Sequence, residues 1–118
     1  MANCDIQRIH HIKTYCEDIA ATITRFGDSF DKFQQDRDFV NSVSMSIMQI
    51  GELSAGLSES FKDQTRRQMM WAPIKAMRNM FAHAYASMNK DVIWETAVRD
   101  IPALLRFCDN ILDAEQTT

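Results

Sequence analysis

The chain has 118 residues with 46% apolar content, enough for one domain around one core and too few for a second. A formal charge of −3 argues against a uniformly basic nucleic-acid binder, and no run approaches the roughly 20 consecutive apolar residues of a membrane span. Three glycines and two prolines among plentiful helix formers argue against a turn-rich sheet protein and predict helices on short loops.

Ile6, Ile9, Ile12, Cys16, Ile19, Ile23 and Phe26 recur at spacings of three and four, which predicts one long amphipathic helix ending near Gly27. Asp28 or Ser29 can cap a short second helix carrying Phe30 and Phe33. Val40, Val43, Ile47, Ile50 and Leu57 continue the same spacing through a third helix, with Ser54 the one polar residue in its stripe. The polar stretch from Ser58 to Met70 predicts a loop with one or two helical turns.

Pro73 suits the first turn of a fourth helix, where its missing N–H costs little. Trp71, Ile74, Met77, Phe81, Ala84 and Met88 form the apolar stripe of that helix. Asn89 or Asp91 can cap the last segment, which reads through Val92, Ile93, Ala97, Ile101, Leu104, Cys108 and Ile111. Pro102 is expected to kink or split it, with Asp100 capping the second part. The eight methionines are expected as flexible core and interface filler, Met69 and Met70 nearer a surface. Together these segments predict an all-α fold over residues 1–118, an antiparallel up-and-down bundle of four to five main helices.

Cys4, Cys16 and Cys108 are odd in number and lack C-x-x-C spacing, so reduced and mostly buried thiols are expected. His10 and His11 are adjacent and lack a metal-ligand spacing. The first residues hold no apolar signal-peptide core, and the expected location is the cytoplasm, with no membrane partner. Charge segregates along the chain. Lys62, Arg66, Arg67, Lys75 and Arg78 stand against Asp63 alone, a local excess of four positive charges; the chain from Asp91 onward carries a local excess of four negative ones. Such a basic patch can steer a phosphate backbone even on an acidic protein, or it can be an ordinary solvated surface. Arg66, Arg67 and Lys75 are its candidate RNA-binding residues.

The run Arg78-Asn79-Met80-Phe81-Ala82-His83-Ala84-Tyr85 sets a guanidinium, an amide, an imidazole and a phenol within about two helical turns. On the helical wheel Asn79 and His83 share a face roughly opposite the apolar stripe, so His83 faces water or another chain. Arg78 lies at the stripe's edge, and at 100° per residue it stands about 140° from His83. One rigid helix does not aim both at one atom. Either the length of the arginine side chain or a second copy in a symmetric dimer could bring them together. Imidazole titrates nearest neutrality, which makes His83 the candidate for proton transfer as base, acid or both. Arg78 can hold a phosphate and stabilise its transition-state charge, and Asn79 can orient His83 or donate to the phosphate.

The same run resembles the Arg-Asn-x-x-x-His-x-Tyr signature of the HEPN superfamily, and specifically its HepT-like ribonuclease toxins. The likeness extends to Ile50-Gly51-Glu52-Leu53 with Leu57-Ser58, to Trp71 ahead of the motif helix, and to Asp91-Val92-Ile93-Trp94 with Ile101-Pro102. The resemblance implies a metal-independent endoribonuclease without cofactor, a homodimer with a composite cleft, and products with 2′,3′-cyclic phosphate and 5′-hydroxyl ends. It also implies a partner, a minimal nucleotidyltransferase antitoxin that uses ATP and transfers AMP to Tyr85. From its spacing alone Tyr85 is an aromatic beside the stripe with its hydroxyl in water. The alternative function is a non-catalytic helical partner that binds and regulates the nucleotidyltransferase.

Two neighbours in the third helix complete the expectations. Glu52 can pair with a basic residue near the cleft or be solvated, and a structural role is favoured. Gly51 in a helix interior costs up to ~1 kcal/mol relative to alanine, which predicts close packing of helices at that point.

Overall fold

The computed structural model describes residues 2–84 and 89–116, and residues 82–84 by their backbone alone. Among the described residues all regular structure is helical: α1 (Asn3–Phe26), α2 (Phe30–Gln35), α3 (Arg37–Ala55), α4 (Glu59–Thr65), α5 (Trp71–Ala84), α6 (Lys90–Glu95), a π-helical segment (Thr96–Asp100) and α7 (Ile101–Gln116). Local chemistry sets these boundaries. Gly27 closes α1 at φ 117°, a left-handed value that glycine takes without strain. Ser29 caps α2, accepting from the Lys32 N–H, and Asp36 caps α3, accepting from the Asp38 and Phe39 N–H groups. The polar Ser58–Met70 stretch contains the two-turn α4, capped by Ser58.

The four long helices α1, α3, α5 and α7 run antiparallel to their neighbours, in the spatial order α5, α3, α1, α7. Residue pairs far apart in sequence fix the directions. Thr22 lies by Ser42 while Asp5 reaches Ser58, and Lys13 pairs with Asp109 at 2.8 Å. The seam Ile9, Ile12, Cys16 and Ile19 of α1 meets Val43, Ile47 and Ile50 of α3 and Leu104, Cys108 and Leu112 of α7 in one core.

An aromatic cluster closes each end of the bundle. Phe26, Phe33, Phe39 and Trp94 pack with ring centroids 4.9–5.9 Å apart and pin α2 and α6. At the other end Phe61, Trp71 and Phe107 join α4, α5 and α7, with Trp71 and Phe107 edge to face at 5.6 Å. Asp5, only 1% exposed, accepts from both the N–H (2.9 Å) and the hydroxyl (2.7 Å) of Ser58. Ser58 in turn accepts from the Phe61 N–H, so one carboxylate ties the start of α1 to the start of α4.

Three expectations are corrected. Pro102 does not split the last segment, and Asp100 does not cap a new helix. The backbone stays helical and widens into a π turn, in which the Ile101 N–H bonds the Thr96 carbonyl five residues back. The wider turn gives the proline ring room where a regular α turn would set it against a carbonyl, so the chain continues without a break. Among the described residues no methionine is fully buried, against the expected core filler. Met45, Met48, Met70 and Met80 are exposed, while Met69 and Met77 are half-buried. Met69 and Met77 pack against the core from its margin, and the core itself is built from aliphatics, phenylalanine and two cysteines. Of the three thiols Cys16 and Cys108 are buried and Cys4 is exposed.

Candidate active site on the α5 face

Three contacts seat α5. Trp71 anchors its first turn, the indole N–H donating to the Thr65 hydroxyl at 3.0 Å, and Phe81 is buried in the core at its far end. Between them α5 crosses α3 at Gly51. A Cβ built on Gly51 would stand 2.8 Å from the Arg78 Cβ and 3.2 Å from its Cα. The missing side chain lets the two backbones approach, as the glycine in that helix predicts.

That crossing fixes Arg78. Its Nε donates to Glu52 Oε1 at 2.9 Å and its Nη2 to Oε2 at 3.4 Å, a side-on pair between α3 and α5. The hydrogen bond and the charge of each partner raise the arginine's pKa and lower the glutamate's. Glu52 engages only one edge of the guanidinium. The end-on edge, with Nη1 and the second Nη2 hydrogen, is not taken by Glu52, and that fork matches two oxygens of a phosphate.

Asn79 is exposed on the next residue, in line with its expected place opposite the stripe, and Arg78 is half-buried at the stripe's edge. His83 belongs to the last turn of α5, four residues beyond Asn79; its position along the helix is described by backbone alone. Tyr85 lies outside the described residues. Trp71, Ile74 and Met77 are half-buried rather than buried, because α5 packs along its length on α3 and meets α7 at its Trp71 end.

Beside Arg78 a pocket of about 240 Å³ opens between α3, α4 and α5, lined by Lys62, Lys75, Trp71 and Ser54 among others. Lys75 was expected near the phosphate path. Arg66 and Arg67 lie exposed on the turn after α4, outside the pocket wall. Sequence reasoning counted Lys62 in the basic run without assigning it a site, and it read Trp71 as stripe. The signal for both is spatial, since the lysine of α4 and the indole of α5 meet only after the chain turns between them. Among the described residues no group of three or more His, Cys, Asp or Glu side chains could hold a metal ion, and no helix is long and apolar enough to cross a membrane.

A helical bundle that carries an Arg-Asn-x-x-x-His run on one of its long helices defines a class, and comparison with known proteins supplies the family. The family model described as ribonuclease HepT-like matches residues 12–111, and the chain belongs to that HEPN-type family. A protein of Caldanaerobacter subterraneus subsp. tengcongensis whose name marks it as a candidate RNase is 30% identical over 92% of this chain and 94% of its own. A protein of Thermococcus cleftensis named probable ribonuclease HepT is 31% identical over 78% of this chain and 87% of its own. A further candidate RNase, from Methanocaldococcus jannaschii, is 26% identical over 71% of this chain and 69% of its own. No solved structure gives a significant match.

Proposed function

We propose that this protein is a metal-independent endoribonuclease, the toxin of a two-component toxin and antitoxin pair, acting as a homodimer on cytoplasmic RNA such as tRNA. The observation that carries this reading is the divided use of Arg78. One edge of its guanidinium is held by Glu52, the other is not taken by that carboxylate, and the side chain stays 36% exposed next to the exposed Asn79. A buried structural arginine would have no use for that second edge on an exposed helix face.

Cleavage starts when the 2′-hydroxyl of one nucleotide attacks the adjacent phosphorus. His83 takes up the hydroxyl proton or delivers one to the departing 5′-oxygen. Arg78 binds the non-bridging oxygens and stabilises the charge that grows on them, and Asn79 donates a further hydrogen bond. The P–O5′ bond breaks, leaving a 2′,3′-cyclic phosphate and a 5′-hydroxyl. Because Arg78 and His83 diverge by about 140° on one helix, the site is completed by a two-fold copy of α5. The outward face of α5, with Ala72, Ala76, Asn79 and Met80 exposed, is the surface such a copy would cover.

The partner is a minimal nucleotidyltransferase antitoxin. The Tyr85 hydroxyl attacks the α-phosphorus of ATP on that partner, pyrophosphate leaves, and AMP stays on the toxin. The added negative charge and bulk, seven residues from Arg78 in the sequence, oppose binding of RNA phosphate.

The test is cleavage of total RNA by purified protein in EDTA, wild type against His83→Ala, with the product ends identified chemically. The expected result is cyclic-phosphate ends that disappear in the variant. No cleavage by a folded wild-type dimer, shown by mass spectrometry to be unmodified at Tyr85, would overturn this reading in favour of a non-catalytic partner of the nucleotidyltransferase.

A further inference from the structure

The pocket beside Arg78 has the walls of a binding site for one nucleobase and one phosphate. Its floor is the close-packed turn of α3 at Gly51, Ser54 and Ala55, and its sides are Trp71, Ile74 and Lys75 of α5 and Lys62 of α4. Lys62, Lys75 and Arg78 stand against two carboxylates, Glu59 in the lining and Glu52, which pairs with Arg78 behind it. Glu59 is 88% exposed and touches Lys62 only at 3.7 Å, so it leaves the pocket positive. At about 240 Å³ the space is smaller than the roughly 300–1,000 Å³ typical of pockets that enclose a drug-sized ligand, and it suits a single planar group.

Trp71 supplies the surface for that group. Its indole is held at three points: the N–H on Thr65, the ring against Phe61, and a T-shaped contact with Phe107. Thr65 is itself buried and donates to the Phe61 carbonyl at 2.8 Å, so the ring's orientation is set by the core before any ligand arrives. The residue is nevertheless only half-buried, and it lines the pocket. A pre-oriented aromatic ring beside ammonium groups is how single-stranded nucleic acid is bound, by stacking plus phosphate contact.

The register links the pocket to the reacting phosphate. Trp71 and Arg78 are two turns apart on one face of α5, roughly 10 Å along the axis. That separation is comparable with one nucleotide from phosphate to base edge.

We propose that this pocket is a single-nucleotide subsite of the ribonuclease: the nucleotide next to the phosphate held by Arg78 stacks its base on Trp71 and places its own phosphate between Lys62 and Lys75. This rests on the ribonuclease reading above and adds a substrate class to it. A base inside a duplex cannot reach Trp71, so the RNA at the cut is single-stranded or splayed.

Tryptophan emission tests it. Trp94 sits among Phe33 and Phe39 at the opposite end of the bundle, and Trp94→Phe leaves Trp71 as the sole reporter. The probe is a short 2′-O-methyl oligoribonucleotide, which lacks the attacking hydroxyl and is not cut. Saturable quenching is expected, with affinity falling about ten-fold when Lys62 and Lys75 are both changed to alanine, and no quenching is expected from the same sequence as a duplex. Binding of the single strand without any change in Trp71 emission, or quenching indifferent to both lysines, overturns the proposal. As a check independent of Trp94, Trp71→Phe should keep affinity within about three-fold while Trp71→Leu loses about ten-fold or more; equal losses overturn it. RNA cleavage without Trp71 quenching removes the subsite and leaves the ribonuclease reading intact, whereas quenching without cleavage does the reverse.

Discussion

Gly51 and Arg78 touch where α3 crosses α5, so closely that one added methyl group on the glycine would lie 2.8 Å from the arginine's Cβ. The nearest atoms belong to the root of the side chain and the backbone, which cannot swing away as a side-chain tip would. Gly51→Ala is therefore expected to push α5 off α3 and to destabilise the fold by about 1–3 kcal/mol, the usual cost of overpacking. Urea denaturation followed by circular dichroism reads this directly. An unchanged midpoint would mean that the two helices have slack to give.

One residue on, Glu52 turns that close approach into orientation. Glu52→Gln preserves shape but removes the charge that holds the guanidinium side-on. A misplaced Arg78 should lower kcat by about ten- to hundred-fold, with little change in melting temperature, because an exposed ion pair contributes little to stability. The pH dependence has a defined sign. Arg78 lowers the Glu52 pKa, so the pairing is complete above the ordinary carboxylate range and is lost as pH falls through the depressed value. Wild-type Arg78 should therefore stay paired into mild acid. A Glu52→Gln enzyme with wild-type kcat would deny Glu52 any positioning role.

The long helices were legible because apolar residues at spacings of three and four leave few alternatives, and Gly51 was legible because a helix-interior glycine has a cost that packing must offset. Arg78 at the stripe's edge and Asn79 on the outer face also follow from the wheel. The Asp5 to Ser58 link was not, since an acidic residue in a first helical turn looks solvated and its partner lies 53 positions away. The π turn before Pro102 escaped for a similar reason. A proline signals a break, and only the packing of α7 on α1 shows that widening the helix keeps the seam in place.

Asp5 has the clearest energetic role outside the site. It is buried, its two oxygens satisfy the Ser58 N–H and hydroxyl, and Ser58 caps α4. Asp5→Ala strands a partly buried donor and loosens the helix that carries Lys62. The expected loss is about 2–3 kcal/mol, in the range for hydrogen bonds to a charged group. A thermal or urea midpoint within error of wild type would show that water replaces the carboxylate at no cost.

The thiols should react unequally. Burial pushes both Cys16 and Cys108 up, Cys108 to about 12, whereas Cys4 is exposed. Because thiolate is the nucleophile, native protein at pH 8 should take up one equivalent of alkylating agent, at Cys4, and three after denaturation. The raised values also make a linkage prediction. The unfolded thiols ionise from about pH 8.5 upward while the buried ones keep their protons, so this contribution to stability is present below that pH and declines as pH rises towards 12. Rapid native labelling of Cys16 or Cys108 would contradict the tight α1 and α7 seam.

Met80 offers a separate handle on the proposed dimer. It is 44% exposed on α5 directly after Asn79, and Ala72 and Ala76 continue the same outward surface with small side chains. Two copies of α5 meeting across a two-fold axis would bring each Met80 near its symmetry mate or the neighbouring helix, where a thioether adapts its shape readily. Met80→Glu places two like charges at that contact and leaves the core of each subunit untouched. Sedimentation should show a shift from dimer towards monomer with nearly unchanged melting of the subunit. RNA cleavage should fall in parallel, because Arg78 of one copy would no longer share a cleft with His83 of the other. A Met80→Glu protein that remains dimeric and active would place the subunit contact elsewhere, while a monomer that still cleaves would show that the long Arg78 side chain alone closes the 140° gap.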